Sequence, residues 1–549
     1  MNYKQTYQTW LNHPSIEEEE KNLLKSMDEQ TIKESFYDNL SFGTAGMRGI
    51  LGIGTNRLNI YTIRKATLGY ANYLLKHLKN NEKKGVVIGH DNRYNSRKFC
   101  LDCAALLSSK GIKVYIFDDL RPTPEISFAI RRLQANGGII ITASHNPKEY
   151  NGYKVYDETG CQLIDSKNNL LIEEINKIDD ILAYKFSENK SLIEILDENF
   201  DKIYYEELKK LTLNTPNKEN FKIVYSPQHG TALNGIKEIL TSFGYNLHLV
   251  ESQCSFDPAF SNTLCPNPED ERAYVEAIKL AKEIDANLII TTDPDGDRIG
   301  VGVKHNNEYV LLNGNQTGAL ILDYLLTYKK HNENSLVISS IVTTSMIESI
   351  SKKHNVTFKQ TLTGFKYIGN TITNLEKTNE FLFAVEESYG CAISPIVRDK
   401  DSLQAALIIS EMACLYANKN ISLIDHLNSL YETYGYYYDK VISFSLDPLT
   451  GQEEISKIMN TLRTNKLTKL STYKIAKIED YLEERENFTK SNVLRYIFED
   501  GSFIAIRPSG TEPKYKIYYS ITEKDKNRAL IKFDNLQKAL TDIIKQKIS

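Results

Sequence analysis

Three times along this chain an apolar, β-branched run stops at a short polar loop, and this recurrence constrains the fold more than any other feature. Gly138-Ile139-Ile140-Ile141-Thr142 leads into Ala143-Ser144-His145-Asn146-Pro147. Leu288-Ile289-Ile290-Thr291-Thr292 leads into Asp293-Pro294-Asp295-Gly296-Asp297-Arg298, and Phe381-Leu382-Phe383-Ala384-Val385 into Glu386-Glu387-Ser388-Tyr389-Gly390. Each run follows a second β-rich run and a helical pattern. These earlier runs end at Asp91 and Arg93, at Pro227, His229 and Gly230, and at Thr343 and Thr344. Strands alternating with helical patterns of ~10–15 residues predict βαβ units and largely parallel sheets. Ligands of open α/β sheets gather at the carboxyl ends of strands. Three similar domains could therefore converge on one cleft.

The chain has 549 residues, whereas a single core stops growing at roughly 250–300, so several domains are expected. The pattern predicts α/β domains at 1–205, 206–310 and 311–432, then a smaller α+β domain at 433–549 with a polar loop between two late strands. No apolar run approaches the ~20 residues of a membrane helix, and the start has no apolar signal core. With 67 basic against 71 acidic residues, neither a nucleic acid nor an anionic membrane is an expected partner. Seven cysteines lie without paired metal spacing. They read as reduced thiols of a cytoplasmic protein.

The loops carry the chemistry. Asp293, Asp295 and Asp297 alternate around a glycine turn and can aim oxygens at one hard cation such as magnesium. A calcium EF-hand fails on spacing, because Arg298 and Lys304 stand where its glycine and closing glutamate belong. Three crowded aspartates repel unless something positive sits among them. Ser144 lies beside His145, but adjacent side chains usually diverge, and the serine loop taken alone reads as an Asx/Pro turn. It lacks the Gly-x-Ser-x-Gly elbow of α/β-hydrolases, which weighs against ester hydrolysis. Arg507-Pro508-Ser509-Gly510-Thr511 offers a guanidinium, two hydroxyls and an approachable backbone, as a phosphate dianion requires; a plain turn is the other reading. Glu386 and Ser388 can grip sugar hydroxyls, or be an exposed acidic loop. Phe42-Gly43-Thr44-Ala45-Gly46-Met47-Arg48-Gly49 is glycine-rich and ends on a cation, but it is not a P-loop. Together the set suits a phosphorylated polyol.

Thr142-Ala143-Ser144-His145-Asn146-Pro147 with Asp293-Pro294-Asp295-Gly296-Asp297-Arg298, in order with the other loops, resembles the α-D-phosphohexomutase superfamily of phosphoglucomutases and phosphomannomutases. The resemblance spans essentially the whole chain. It implies three similar mixed α/β domains plus a C-terminal α+β domain around a central active-site cleft. It further implies that Ser144 is a phosphoserine and that Asp293, Asp295 and Asp297 hold Mg2+ with a phosphoserine oxygen. Arg298 would sit beside the serine, with Arg48 and His145 near the transferred phosphate. Lys400 matches a lysine suspected of base catalysis. Glu386 and Ser388 would hold the sugar, within a substrate-binding set that also takes in Thr363, Gly364 and Lys366. Arg507, Ser509, Gly510 and Thr511 would hold the non-reacting phosphate. The implied reaction interconverts α-D-glucose 1-phosphate and glucose 6-phosphate through glucose 1,6-bisphosphate, which also serves as activator.

Glu-Glu-Ser-Tyr-Gly resembles the sugar loop of glucose-specific members. The loop at 42–49 resembles a subgroup that also holds pentose-phosphate enzymes, so phosphopentomutase activity is the main alternative, with phosphomannomutase or bisphosphate synthase activity beside it. A non-catalytic sensor is disfavoured, because the serine and the aspartates are intact. Oligomeric state is not legible from pattern.

Overall fold

The computed structural model describes residues 2–43, 46–78, 84–447, 450–486, 488–509 and 513–548. The chain forms two compact units. The first comprises Met1–Leu312, Phe365–Lys377 and Tyr389–Asn420; the second comprises Asn313–Gly364, Thr378–Ser388 and Ile421–Ser549. Among the described residues, no helix is long and apolar enough to cross a membrane.

The first unit holds two sheets. One contains β1 (Met47–Ile50), β2 (Val86–His90), β3 (Val114–Phe117), β4 (Gly137–Ile141), β5 (Tyr150–Asp157) and β6 (Ile193–Leu196), in the order β1-β5-β4-β2-β3-β6. The other contains β7 (Lys222–Ser226), β8 (Asn246–Leu249), β9 (Leu288–Thr292), β10 (Ile299–His305) and β11 (Glu308–Leu312), in the order β11-β10-β9-β7-β8. β2, β4, β7 and β9 are almost wholly buried, which is why they read as unbroken apolar runs instead of alternating ones. Helices Ile60–His77 and Ser96–Ser109 supply Ile63, Tyr70, Leu74, Cys100, Cys103 and Leu107 to the core under the first sheet. Burial pushes the Cys100 thiol up to about 12, so it behaves as an inert apolar group.

The sheets are more mixed than the sequence pattern predicts. β4 runs parallel to β2, but β5 returns antiparallel to β4. Likewise β9 is parallel to β7 and β10 antiparallel to β9. The physical reason is connection length. A parallel crossover needs a dozen or more residues, and the loops after β4 and β9 are too short to make one. The two loops with the densest chemistry are therefore tight reversals at the carboxyl ends of buried strands.

The second unit has β12 (Ser335–Ser340) flanked in parallel by β13 (Thr357–Thr361) and β14 (Glu380–Glu386). It also has an antiparallel sheet in the order Tyr436–Ser445, Lys514–Glu523, Phe503–Pro508, Leu494–Phe498, Tyr473–Asp480 and Lys469–Leu470. Helices Gly451–Thr464 and Lys526–Ile548 complete its core through Ile458, Leu462, Leu536 and Leu540. This is the α+β domain expected at the end of the chain.

Candidate active site

Ser144 sits just beyond β4 with φ of +53°. A left-handed conformation costs a non-glycine residue on the order of 1–2 kcal/mol, and local bonds hold it. Ser144 N donates to Thr142 Oγ1 at 2.8 Å. The buried Arg93 guanidinium donates to four carbonyls of the loop: Ser144 at 2.6 Å, Asn146 at 2.5 Å, Pro147 at 2.8 Å and Tyr150 at 3.0 Å. Its own charge is met by Asp91, 3.2 Å away. The turn folds His145 back, so that Nδ1 lies 3.2 Å from Ser144 Oγ instead of diverging. Burial and the Arg298 and Arg48 guanidinia push the His145 pKa well below its ordinary value, which keeps the imidazole neutral near pH 7. Arg48 donates to Asn146 Oδ1 at 3.0 Å.

The reversal after β9 carries the three aspartates. Asp293 Oδ1 accepts from the backbone of Asp297 at 3.1 Å and of Arg298 at 3.0 Å, while Oδ2 accepts from Ser144 Oγ at 3.0 Å. The sequence-predicted serine and aspartate loops, 149 residues apart, thus meet in one hydrogen bond. All three carboxylates are buried, and one oxygen from each lies within 4.8 Å of the others. Lys154 on β5 donates to Asp295 Oδ2 at 2.8 Å, and Lys400 Nζ lies 3.0 Å from Asp297 Oδ2. Burial and the neighbouring Asp295 and Asp297 push the Asp293 pKa well up. Burial acts on Asp295 in the same sense, but Lys154, a bond with Asp293 and Lys400 together outweigh it and hold that carboxyl below the usual range. Asp295 Oδ1 and Asp297 Oδ1 are buried without a hydrogen-bond partner. An all-oxygen set with orphaned, mutually repelling carboxylate atoms fits a hard divalent cation.

Several residues that sequence reasoning left out complete this site. Lys154 balances the aspartates, and Thr123 donates to Asp295 Oδ2 at 3.1 Å. Glu269 pairs with Arg298. Asp399 accepts from Lys400 Nζ at 3.0 Å. Only Arg93 carried a signal, as a strand-end residue. Lys366, also in the first unit, is ion-paired with Asp165 at 2.6 Å.

The second unit carries the other predicted residues. Glu386 ends β14 and accepts from Gly364 N at 2.7 Å, with Gly364 at φ +120° next to Thr363. Ser388 follows in the same loop. Arg507 lies near the end of its strand, and Ser509 N donates to Lys514 O at 2.8 Å. Gly510 and Thr511 lie outside the described residues.

Comparison with known proteins decides the family. The phosphoglucomutase/phosphomannomutase alpha/beta/alpha domains I, II and III match residues 39–181, 202–306 and 313–434, and the C-terminal domain of the same family matches 459–532. The chain belongs to the phosphoglucomutase/phosphomannomutase family. Like others of this family it is an intramolecular phosphotransferase, an isomerase. A phosphoglucomutase of Staphylococcus haemolyticus (strain JCSC1435) is 40% identical over 90% of this chain and 93% of its own length. One of Staphylococcus aureus (strain MSSA476) is 38% identical over 92% and 94%. Among solved structures, a putative phosphomannomutase of Thermus thermophilus shares the fold at 19% identity, with TM-score 0.71 over 92% of this chain and 99% of that one. Parafusin from Paramecium, a phosphoglucomutase, does so at 20% identity, with TM-score 0.71 over 93% and 96%.

Proposed function

We propose that this family member interconverts α-D-glucose 1-phosphate and D-glucose 6-phosphate through a phosphorylated Ser144. The observation that carries the proposal is the bond between Ser144 Oγ and Asp293, which sets the serine oxygen against a cation-fitting carboxylate cluster. Relatives named phosphoglucomutase at 38–40% identity over most of the chain support the choice of hexose, as does Glu-Glu-Ser-Tyr-Gly at 386–390.

In this reading Asp293, Asp295 and Asp297, with a phosphoserine oxygen, hold Mg2+, which when bound stabilises charge on the phosphoryl oxygens. Arg298 and Arg48 add donors for the same oxygens. Glu386 and Ser388 hold sugar hydroxyls, and Arg507, Ser509, Gly510 and Thr511 hold the phosphate that is not reacting. The phosphoryl of Ser144 passes to the free sugar hydroxyl, and the other phosphate of the resulting bisphosphate returns to Ser144. Each transfer moves one proton. His145, neutral and 3.2 Å from Ser144 Oγ, suits the proton-accepting role better than Lys400, whose ammonium lies between two carboxylates. A cytoplasmic setting accords with seven free cysteines.

The test is glucose 6-phosphate release from α-glucose 1-phosphate, with Mg2+ and a trace of glucose 1,6-bisphosphate, beside ribose and mannose 1-phosphates. Turnover with glucose should exceed the others by at least about tenfold. Equal or faster ribose turnover would replace the hexose assignment with a pentose one.

A further inference from the structure

Behind the aspartate cluster the first unit carries a buried ladder of alternating charge. Asp295 Oδ2 meets Lys154 Nζ at 2.8 Å, and Lys154 Nζ lies 3.8 Å from Asp297 Oδ2. Asp297 Oδ2 meets Lys400 Nζ at 3.0 Å, and Lys400 Nζ meets Asp399 Oδ1 at 3.0 Å. The ladder ends on neutral donors: Asp399 Oδ2 accepts from Tyr156 Oη at 2.8 Å and from Gln162 Nε2 at 3.1 Å. Asp399, Tyr156 and Lys400 are all buried. Gly390 leaves room for the lysine stem, since a Cβ there would stand 2.1 Å from Lys400 Cδ.

The ladder uses one oxygen of Asp295 and one of Asp297 and leaves Oδ1 of each without a hydrogen bond, with Arg298 Nε 4.0 Å from Asp297 Oδ1. A buried ammonium beside a single carboxylate would move fully onto it and compete with any cation for its charge. A second carboxylate on the far side divides that attraction. We propose that Asp399 is a positioning residue that shares the Lys400 ammonium with Asp297, keeps Asp297 available to a divalent cation, and so sets the cation affinity of the aspartate cluster. This rests on the reading of Asp293, Asp295 and Asp297 as the cation site.

The test is Mn2+ binding to chelator-stripped protein, followed by the electron paramagnetic resonance signal of free Mn2+. Wild type, Asp399→Asn, Lys400→Met and the double variant form a cycle. Asp399→Asn should weaken binding by about tenfold, because Lys400 then leans on Asp297 alone, and Lys400→Met should tighten it. Between Lys400→Met and the double variant the change should stay under about twofold. Removing both members of a buried pair is tolerated better than removing one, so if Asp399→Asn does not fold the double variant is compared with wild type: it should bind Mn2+ more tightly, because the competing ammonium is gone, and weaker binding would overturn the proposal. An equal loss in both backgrounds would mean a general charge effect and would overturn the positioning role. So would Asp399→Asn binding as tightly as wild type. Absence of Mn2+ binding by the wild-type protein would overturn the cation-site reading itself, and the proposal with it.

Discussion

Ser144 is a serine in a conformation that favours glycine, with φ of +53°, and its surroundings are arranged to keep it there. Arg93 spends its guanidinium on four loop carbonyls, and bonds from a charged donor are worth roughly 1.5–3 kcal/mol each in a buried setting. Asp401 shows a different use of burial. It caps helix Ser402–Ala417 through Leu403 N and Gln404 N and accepts from Tyr204 Oη at 2.5 Å. Burial outweighs these bonds and pushes its pKa up to about 6. The folded protein therefore holds a proton at Asp401 that the unfolded chain releases near pH ~4. Stability from this group is full below that pH and falls as pH rises to about 6, a loss on the order of 1–3 kcal/mol. Asp401→Asn should keep the cap and flatten the decline of melting temperature between about pH 4 and 6. An unchanged slope would contradict the assignment. The aspartate cluster was legible in the sequence because its members lie within one five-residue loop, 293–297. Lys154 and Glu269 were not, because each acts on a residue that only the fold brings near, and Arg93 was legible only as a strand-end residue, not as the clamp of the serine loop. His145 was legible as a residue but not as a neighbour of the Ser144 hydroxyl, since nothing in the sequence announces a positive φ.

At the scale of elements, the unbroken apolar runs identified buried strands, and their polar ends identified the loops. What pattern reading missed was direction: β5 and β10 return antiparallel, although the shortness of the preceding loops implies it. These reversals need close backbone approaches. Gly230 packs against the aspartate loop so tightly that a Cβ would stand 2.7 Å from Pro227 O and Pro294 Cα and 2.8 Å from Asp293 O. All three are backbone atoms and cannot swing away. Gly230→Ala should lower stability by about 1–3 kcal/mol and shift the aspartate loop, read as a fall of a few degrees in melting temperature together with weaker Mn2+ binding. A variant that melts and binds like wild type would contradict this packing.

At the scale of the molecule, four family domains match in order along the chain, and the two compact units each carry part of the predicted machinery. The first has the serine and the aspartates; the second has Glu386, Ser388, Arg507 and Ser509. The order of the motifs along the chain was readable from sequence; the division into these two units, which separates Lys366 and Lys400 from Glu386 and Ser388, was not. The most direct test of the account is to follow the phosphate itself. Protein treated with glucose 1,6-bisphosphate and freed of small molecules should carry one phosphate, located on Ser144 by peptide mass spectrometry. Added glucose 1-phosphate with Mg2+ should remove it and yield glucose 1,6-bisphosphate in equal amount, while Ser144→Ala should take up no phosphate and lose turnover. Phosphate on another residue, or a Ser144→Ala variant within about tenfold of wild-type turnover, would contradict the central claim.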